Sequence, residues 1–89
     1  MEYEVYLRTE VFEFLRHRRI DERNRLLGLL HELGGDPYRR GDFAERDLSG
    51  RDVQVLIFQR YAISYWADSY WADHAVKELK VIVIRYADK

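Results

Sequence analysis

A chain of 89 residues, 47% hydrophobic and 35% charged with one proline, is expected to form a single domain over residues 1–89 around one core, which excludes a large multi-step catalytic machine. Fifteen basic against sixteen acidic side chains leave a net charge of −1, so no global field draws the protein to nucleic acid or anionic lipid; residues 1–45 carry −2 and residues 46–89 carry +1. With no cysteine there is no disulfide framework, thiol nucleophile or cysteine-based metal site.

No run approaches the roughly 20 apolar residues of a membrane span. Met1-Glu2-Tyr3-Glu4 lacks the basic and apolar regions of a signal peptide, so a cytoplasmic location is expected. Twelve of the fifteen cations are arginine, suited to pairing with carboxylate or phosphate, and most are expected to meet acids on helix faces.

Residues Glu2 to Arg8 alternate, with Tyr3, Val5 and Leu7 on one side, and read as a half-buried strand. Thr9 reads as the cap of a helix favoured by Glu10 and Glu13, with Val11, Phe12 and Leu15 as its buried stripe up to Arg16-His17-Arg18-Arg19. That basic run reads as a solvated face bridged to Glu13, Asp21 and Glu22. Asp21 reads as the cap of a second helix carrying Leu26, Leu27, Leu30 and Leu33 and stopped by Gly34-Gly35, so that two helices make an antiparallel hairpin.

Residues 36–50 mix glycine, charge and proline without lasting periodicity and read as a long surface connection. Three further strands are expected: Val53 to Phe58, Ala62 to Ala67, and Leu79 to Tyr86. The last has Val81, Ile82, Val83 and Ile84 in succession and reads as central and buried on both faces. The order strand, helix, helix, strand, strand, strand predicts an α+β domain, an antiparallel meander packed against a helical hairpin.

Ser64-Tyr65-Trp66-Ala67-Asp68 is repeated at once as Ser69-Tyr70-Trp71-Ala72-Asp73. An insertion of five residues reverses the faces of all that follows, placing Tyr65 with Trp71 and Trp66 with Tyr70. The repeat reads as an enlarged hairpin. Its aromatic surface is a candidate for homodimer formation through residues 64–73, with Asp68 and Asp73 moderating aggregation.

The element order, Asp36-Pro37-Tyr38 after a leucine helix, Leu48-Ser49-Gly50 before a strand, Tyr61-Ala62-Ile63-Ser64-Tyr65 and the closing Val81-Ile82-Val83-Ile84-Arg85-Tyr86 together resemble the RelE/ParE toxin superfamily over nearly the whole chain. The resemblance implies the toxin of a bacterial type II toxin–antitoxin module, neutralised by a cognate antitoxin. Its target would be messenger RNA on the ribosome, cleaved without a metal, or DNA gyrase.

RNA cleavage of that kind has the 2′-hydroxyl attack the neighbouring phosphate, aided by a cation and a proton-moving group. Arg85-Tyr86 match the family's basic and aromatic positions, whereas Ala62 stands where the family carries arginine and Ala87-Asp88 where some members carry histidine and tyrosine. A toxin with reduced or absent cleavage is therefore expected; a non-toxic interaction module is the alternative.

Arg60 and Tyr61 at a turn, with Arg85 and Tyr86 at the end of the last strand, read as one concave candidate catalytic set. Glu45 and Lys89 are candidate substitutes for the missing groups, and Arg39, Arg40 and Lys89 are candidate partner-binding cations. His17, His31 and His74 lack a metal-binding spacing, and neither metal nor cofactor is expected. Leucines left uncovered on the second helix would mark the surface for the antitoxin or a second copy.

Overall fold

A computed structural model describes residues 4–36, 38–69 and 77–87. In chain order the elements are β1 (Glu4–Leu7), α1 (Thr9–Arg16), α2 (Ile20–Gly35), β2 (Phe43–Arg46), β3 (Asp52–Phe58), β4 (Tyr61–Ser69) and β5 (Lys77–Tyr86). The fold is α+β, and the described residues form a five-stranded sheet in the order β1-β5-β4-β3-β2.

From β3 to β5 the strands form the expected antiparallel meander, and β2 extends it by one strand. β1 corrects it: Glu4 lies opposite Glu78 and Leu7 opposite Val81 in parallel, so the sheet is mixed. Parallel neighbours need a long crossover, and here both helices lie between the two strands in sequence. β4 takes the middle place expected of the last strand.

The second correction is β2, inside the segment expected to be a loop. All four of its residues are exposed, so no apolar alternation announces it. Its approach is fixed by backbone instead. Asp42 N donates to Val55 O at 2.8 Å, Ile57 N donates to Asp42 Oδ2 at 2.6 Å, and Gly41 N donates to Gln54 Oε1 at 2.9 Å. Gly41 runs so close to β3 that a Cβ there would lie 2.4 Å from Val55 O.

The turn from β2 to β3 is organised by Asp47, whose Oδ1 accepts from Ser49 N (2.9 Å), Ser49 Oγ (2.6 Å) and Arg51 N (3.0 Å), while Gly50 adopts φ +85°. The Ser49 hydroxyl, then the Arg51 amide, hold the Asp47 carboxyl below its ordinary pKa.

Both helices pack on one face of the sheet. Leu26, Leu29, Leu30 and Leu33 of α2 recur at three and four residues, and with Val11 and Leu15 of α1 they bury Leu56, Tyr61, Ile63, Tyr65, Leu79, Val81 and Ile84. Leu27 is 42% exposed and Phe12 61% exposed, contrary to expectation, because the buried stripe of α2 runs through Leu29 and that of α1 through Val11 and Leu15. Arg8 and Arg19 occupy the N-cap positions in extended backbone without a side-chain cap. Thr9 and Asp21 lie inside the first turns, where the Asp21 charge still favours the helix dipole.

β5 is not buried on both faces as expected: Leu79, Val81 and Ile84 are buried on the helix side, whereas Val83, on the face it shares with Arg85, is 37% exposed. The β4 ladder skips from Val83 to Val81 opposite Ser64 and Tyr65, a bulge that lets Val81 and Ile84 face the same core although they are three residues apart. The first repeat copy, Ser64–Asp68, lies wholly in β4, and the ladder continues to Ser69 opposite Lys77. Residues 70–73 of the second copy, and with them that part of the candidate dimer hairpin, lie outside the described residues. Among the described residues no helix is long and apolar enough to cross a membrane.

Candidate functional site

Arg60, Tyr61 and Tyr86 do come together, at the end of the sheet beneath the α1–α2 connection. The turn between β3 and β4 places Gln59 at φ +56°, and Arg60 O accepts from Ala87 N at 2.8 Å, tying the turn to the end of β5. Tyr61 and Tyr86 are register partners, with ring centroids 5.5 Å apart. Phe14 of α1 meets each of them edge-on at 5.8 Å.

Two residues that the sequence offered only as members of a charged run complete this cluster. Arg18 stacks over Phe14 at 4.3 Å, donates through Nη1 to the Tyr86 hydroxyl, and donates through Nε to Phe14 O at 3.2 Å. The other residues flanking it, Arg16, His17 and Arg19, lie near carboxylates as expected. Glu22 of α2, 14% exposed, accepts from the Tyr61 hydroxyl at 2.8 Å and from Arg60 Nη2 at 2.6 Å. The Tyr61 hydroxyl first, and Arg60 second, hold the Glu22 carboxyl below its ordinary pKa, while the bond to Glu22 raises that of Arg60.

Chemically, this arrangement joins elements. Tyr61 and Tyr86 are each hydrogen-bonded, Glu22 is held ionised, and Arg60, 63% exposed, presents its remaining guanidinium surface to solvent. The link joins Phe14, Arg18 and Glu22 to the far ends of β4 and β5. On the helix side, its trace in the sequence is the four-residue step from Phe14 to Arg18 and from Arg18 to Glu22.

Arg85 does not join the set. It is the residue before Tyr86, so the strand's period of two sends it to the face opposite the helices. There it lies opposite Ala62, with Nη1 3.4 Å from Ser64 Oγ and Nη2 3.8 Å from Glu45 Oε2. Glu45, Arg46, Asp47, Val53, Ser64, Val83 and Arg85 line a cleft of 150 Å³. It brings a cation, a carboxylate and a buried hydroxyl together. Its other charges are engaged nearby: Arg46 lies 3.4 Å from Asp52, and Arg51 lies 3.4 Å from Asp47.

Of the candidate partner-binding cations, Arg39 and Arg40 are exposed in the segment before β2. Arg39 is held through its backbone: its N donates to Asp36 O at 3.0 Å, and its O accepts from the buried Tyr65 hydroxyl at 2.7 Å. Burial raises the Tyr65 pKa, keeping that donor protonated. Lys89 lies outside the described residues. No protein-family model, curated protein or solved structure matches the chain.

Proposed function

We propose that the chain is the toxin component of a bacterial toxin–antitoxin module, held inactive by a cognate antitoxin and acting on its target through the sheet face opposite the helices. The observation that carries this reading is the element order: a strand, two helices confined to one face, and then antiparallel strands, as the RelE/ParE resemblance implies. Action without RNA cleavage is favoured by Ala62, which lies opposite Arg85 where the resemblance calls for a second cation, and by Glu22, which already engages Arg60 and Tyr61.

A second reading, metal-independent RNA cleavage, is favoured by the Glu45–Arg85 approach of 3.8 Å beside Ser64. In that case Glu45 takes the 2′-hydroxyl proton as the oxygen attacks phosphorus, Arg85 stabilises the charge gained by the phosphate, and the bond from phosphorus to the 5′-oxygen breaks, leaving a 2′,3′-cyclic phosphate and a 5′-hydroxyl protonated from water.

Inducing the chain in bacteria tests the first reading, with growth arrest expected alongside intact messenger RNA in a translating extract. Inhibition of DNA supercoiling would then identify gyrase as the target. Folded protein without arrest leaves the non-toxic interaction module. If messenger RNA is cut, and Glu45→Gln slows the cutting by about 10²–10⁴-fold, the second reading replaces the first.

A further inference from the structure

We propose that the groove between β1, α1 and α2 docks an acidic peptide segment of a partner protein through one apolar anchor side chain. Leu7, Phe12, Leu15 and Leu27 line the groove, with Arg16 and Arg23 beside them. Leu15 is buried in its floor, whereas Phe12 and Leu27 are exposed large hydrophobics. Its volume, 160 Å³, matches the roughly 150 Å³ of an apolar cavity that takes benzene, the size of one leucine or phenylalanine side chain.

Charge selects the occupant. The groove is lined by two arginines and no acid, and both acids of residues 16–25 are engaged elsewhere: Asp21 lies 4.0 Å from Arg19 and 3.8 Å from Arg25, and Glu22 binds Arg60 and Tyr61. Arg16 shares Glu13 with His17, at 3.4 and 3.8 Å, and Arg23 has no ion pair among the described residues. An apolar anchor flanked by carboxylates satisfies both the lining and its rim. A nucleic acid would meet the arginines and leave the hydrophobics wet, while a second copy packed groove to groove would bring like charges together.

The inference rests on the toxin reading in that it assigns the neutralising partner a docking place, but its test needs no toxicity. A fluorescent helical peptide with one leucine among glutamates is titrated into the full chain, beside versions with the leucine changed to alanine and with the glutamates changed to lysine. The acidic leucine peptide is expected to bind, about tenfold or more tightly than the alanine peptide, with affinity falling as salt rises. Arg23→Glu and Leu27→Glu are each expected to weaken it by about tenfold or more with the circular dichroism melt preserved.

Four results overturn the proposal: no binding of the acidic peptide, equal binding of the lysine peptide, competition by single-stranded RNA that survives Leu27→Glu, or a homodimer dissolved by Leu27→Glu. Growth arrest by the wild-type chain reports on the toxin reading separately, so peptide binding without arrest removes that reading and leaves the groove.

Discussion

Ile63 tests whether β4 is the centre of the packing. Its side chain is 0% exposed, and its register partners, Leu56 on β3 and Ile84 on β5, belong to the same buried cluster. Ile63→Ala removes three carbons, about 2.4 kcal/mol of transfer free energy at about 0.8 kcal/mol for each buried methylene. The cavity left behind brings the loss to about 3–4 kcal/mol, while Ile63→Val should cost about 0.5–1.5 kcal/mol. Against a total stability of about 5–15 kcal/mol this is a large fraction, and it lowers the melting midpoint by about 12–30 °C. Urea unfolding followed by tryptophan fluorescence measures it, provided the slope with denaturant is unchanged. Phe12→Ala is the counter-experiment, expected to cost under about 1 kcal/mol because that ring is largely in water. A loss under about 1 kcal/mol for Ile63→Ala, or equal losses for the two variants, refutes the reasoning.

Glu22, whose pKa is depressed in the folded state, stabilises the protein above its ordinary value of 4.5, and that contribution disappears as pH falls through the folded value. The melting-point gap between wild type and Glu22→Gln should therefore narrow as acid is added below pH 4.5, with Asp47 sustaining part of the remaining acid sensitivity; a gap constant with pH contradicts the link. Gly41→Ala forces a Cβ against Val55 O and should cost about 1–3 kcal/mol, whereas Gly28→Ala, with open space in the middle of α2, should gain about 0.5–1 kcal/mol; chemical denaturation with the opposite order would sink the account of both sites. Tyr65→Phe leaves Arg39 O without its donor and should cost about 1 kcal/mol, with faster hydrogen exchange in the segment before β2; unchanged exchange would mean the hydroxyl does not hold that segment.

Much of the fold was legible because periodicity is local. Val5 and Leu7, the leucines at 26, 30 and 33, and the β-rich runs from 53 and 62 all declare their elements. The adjacent pair Leu26-Leu27 fits two phases of α2, and the reading that set Leu27 on the buried stripe gives way to packing through Leu29. β2 was hidden because its attachment is made by backbone groups, Asp42 and a glycine, which no hydrophobic pattern records. Of the candidate site, Arg60, Tyr61 and Tyr86 share a cluster, but a strand's period of two separates Arg85 from Tyr86 however near they are in sequence. The contribution of Glu22 depends on a contact spanning 38 residues and lay beyond local reading.

The parallel pairing of β1 with β5 sets a timetable for synthesis. Glu4 and its partner Glu78 are 74 residues apart, so at about 5–20 residues per second β1 waits roughly 4–15 s for its neighbour to be made. Until then the leucine stripe of α2 faces no completed sheet, and β1 has no strand beside it. β5 is the strand that joins β1 to the meander, so the sheet closes only once residues 77–86 have been made.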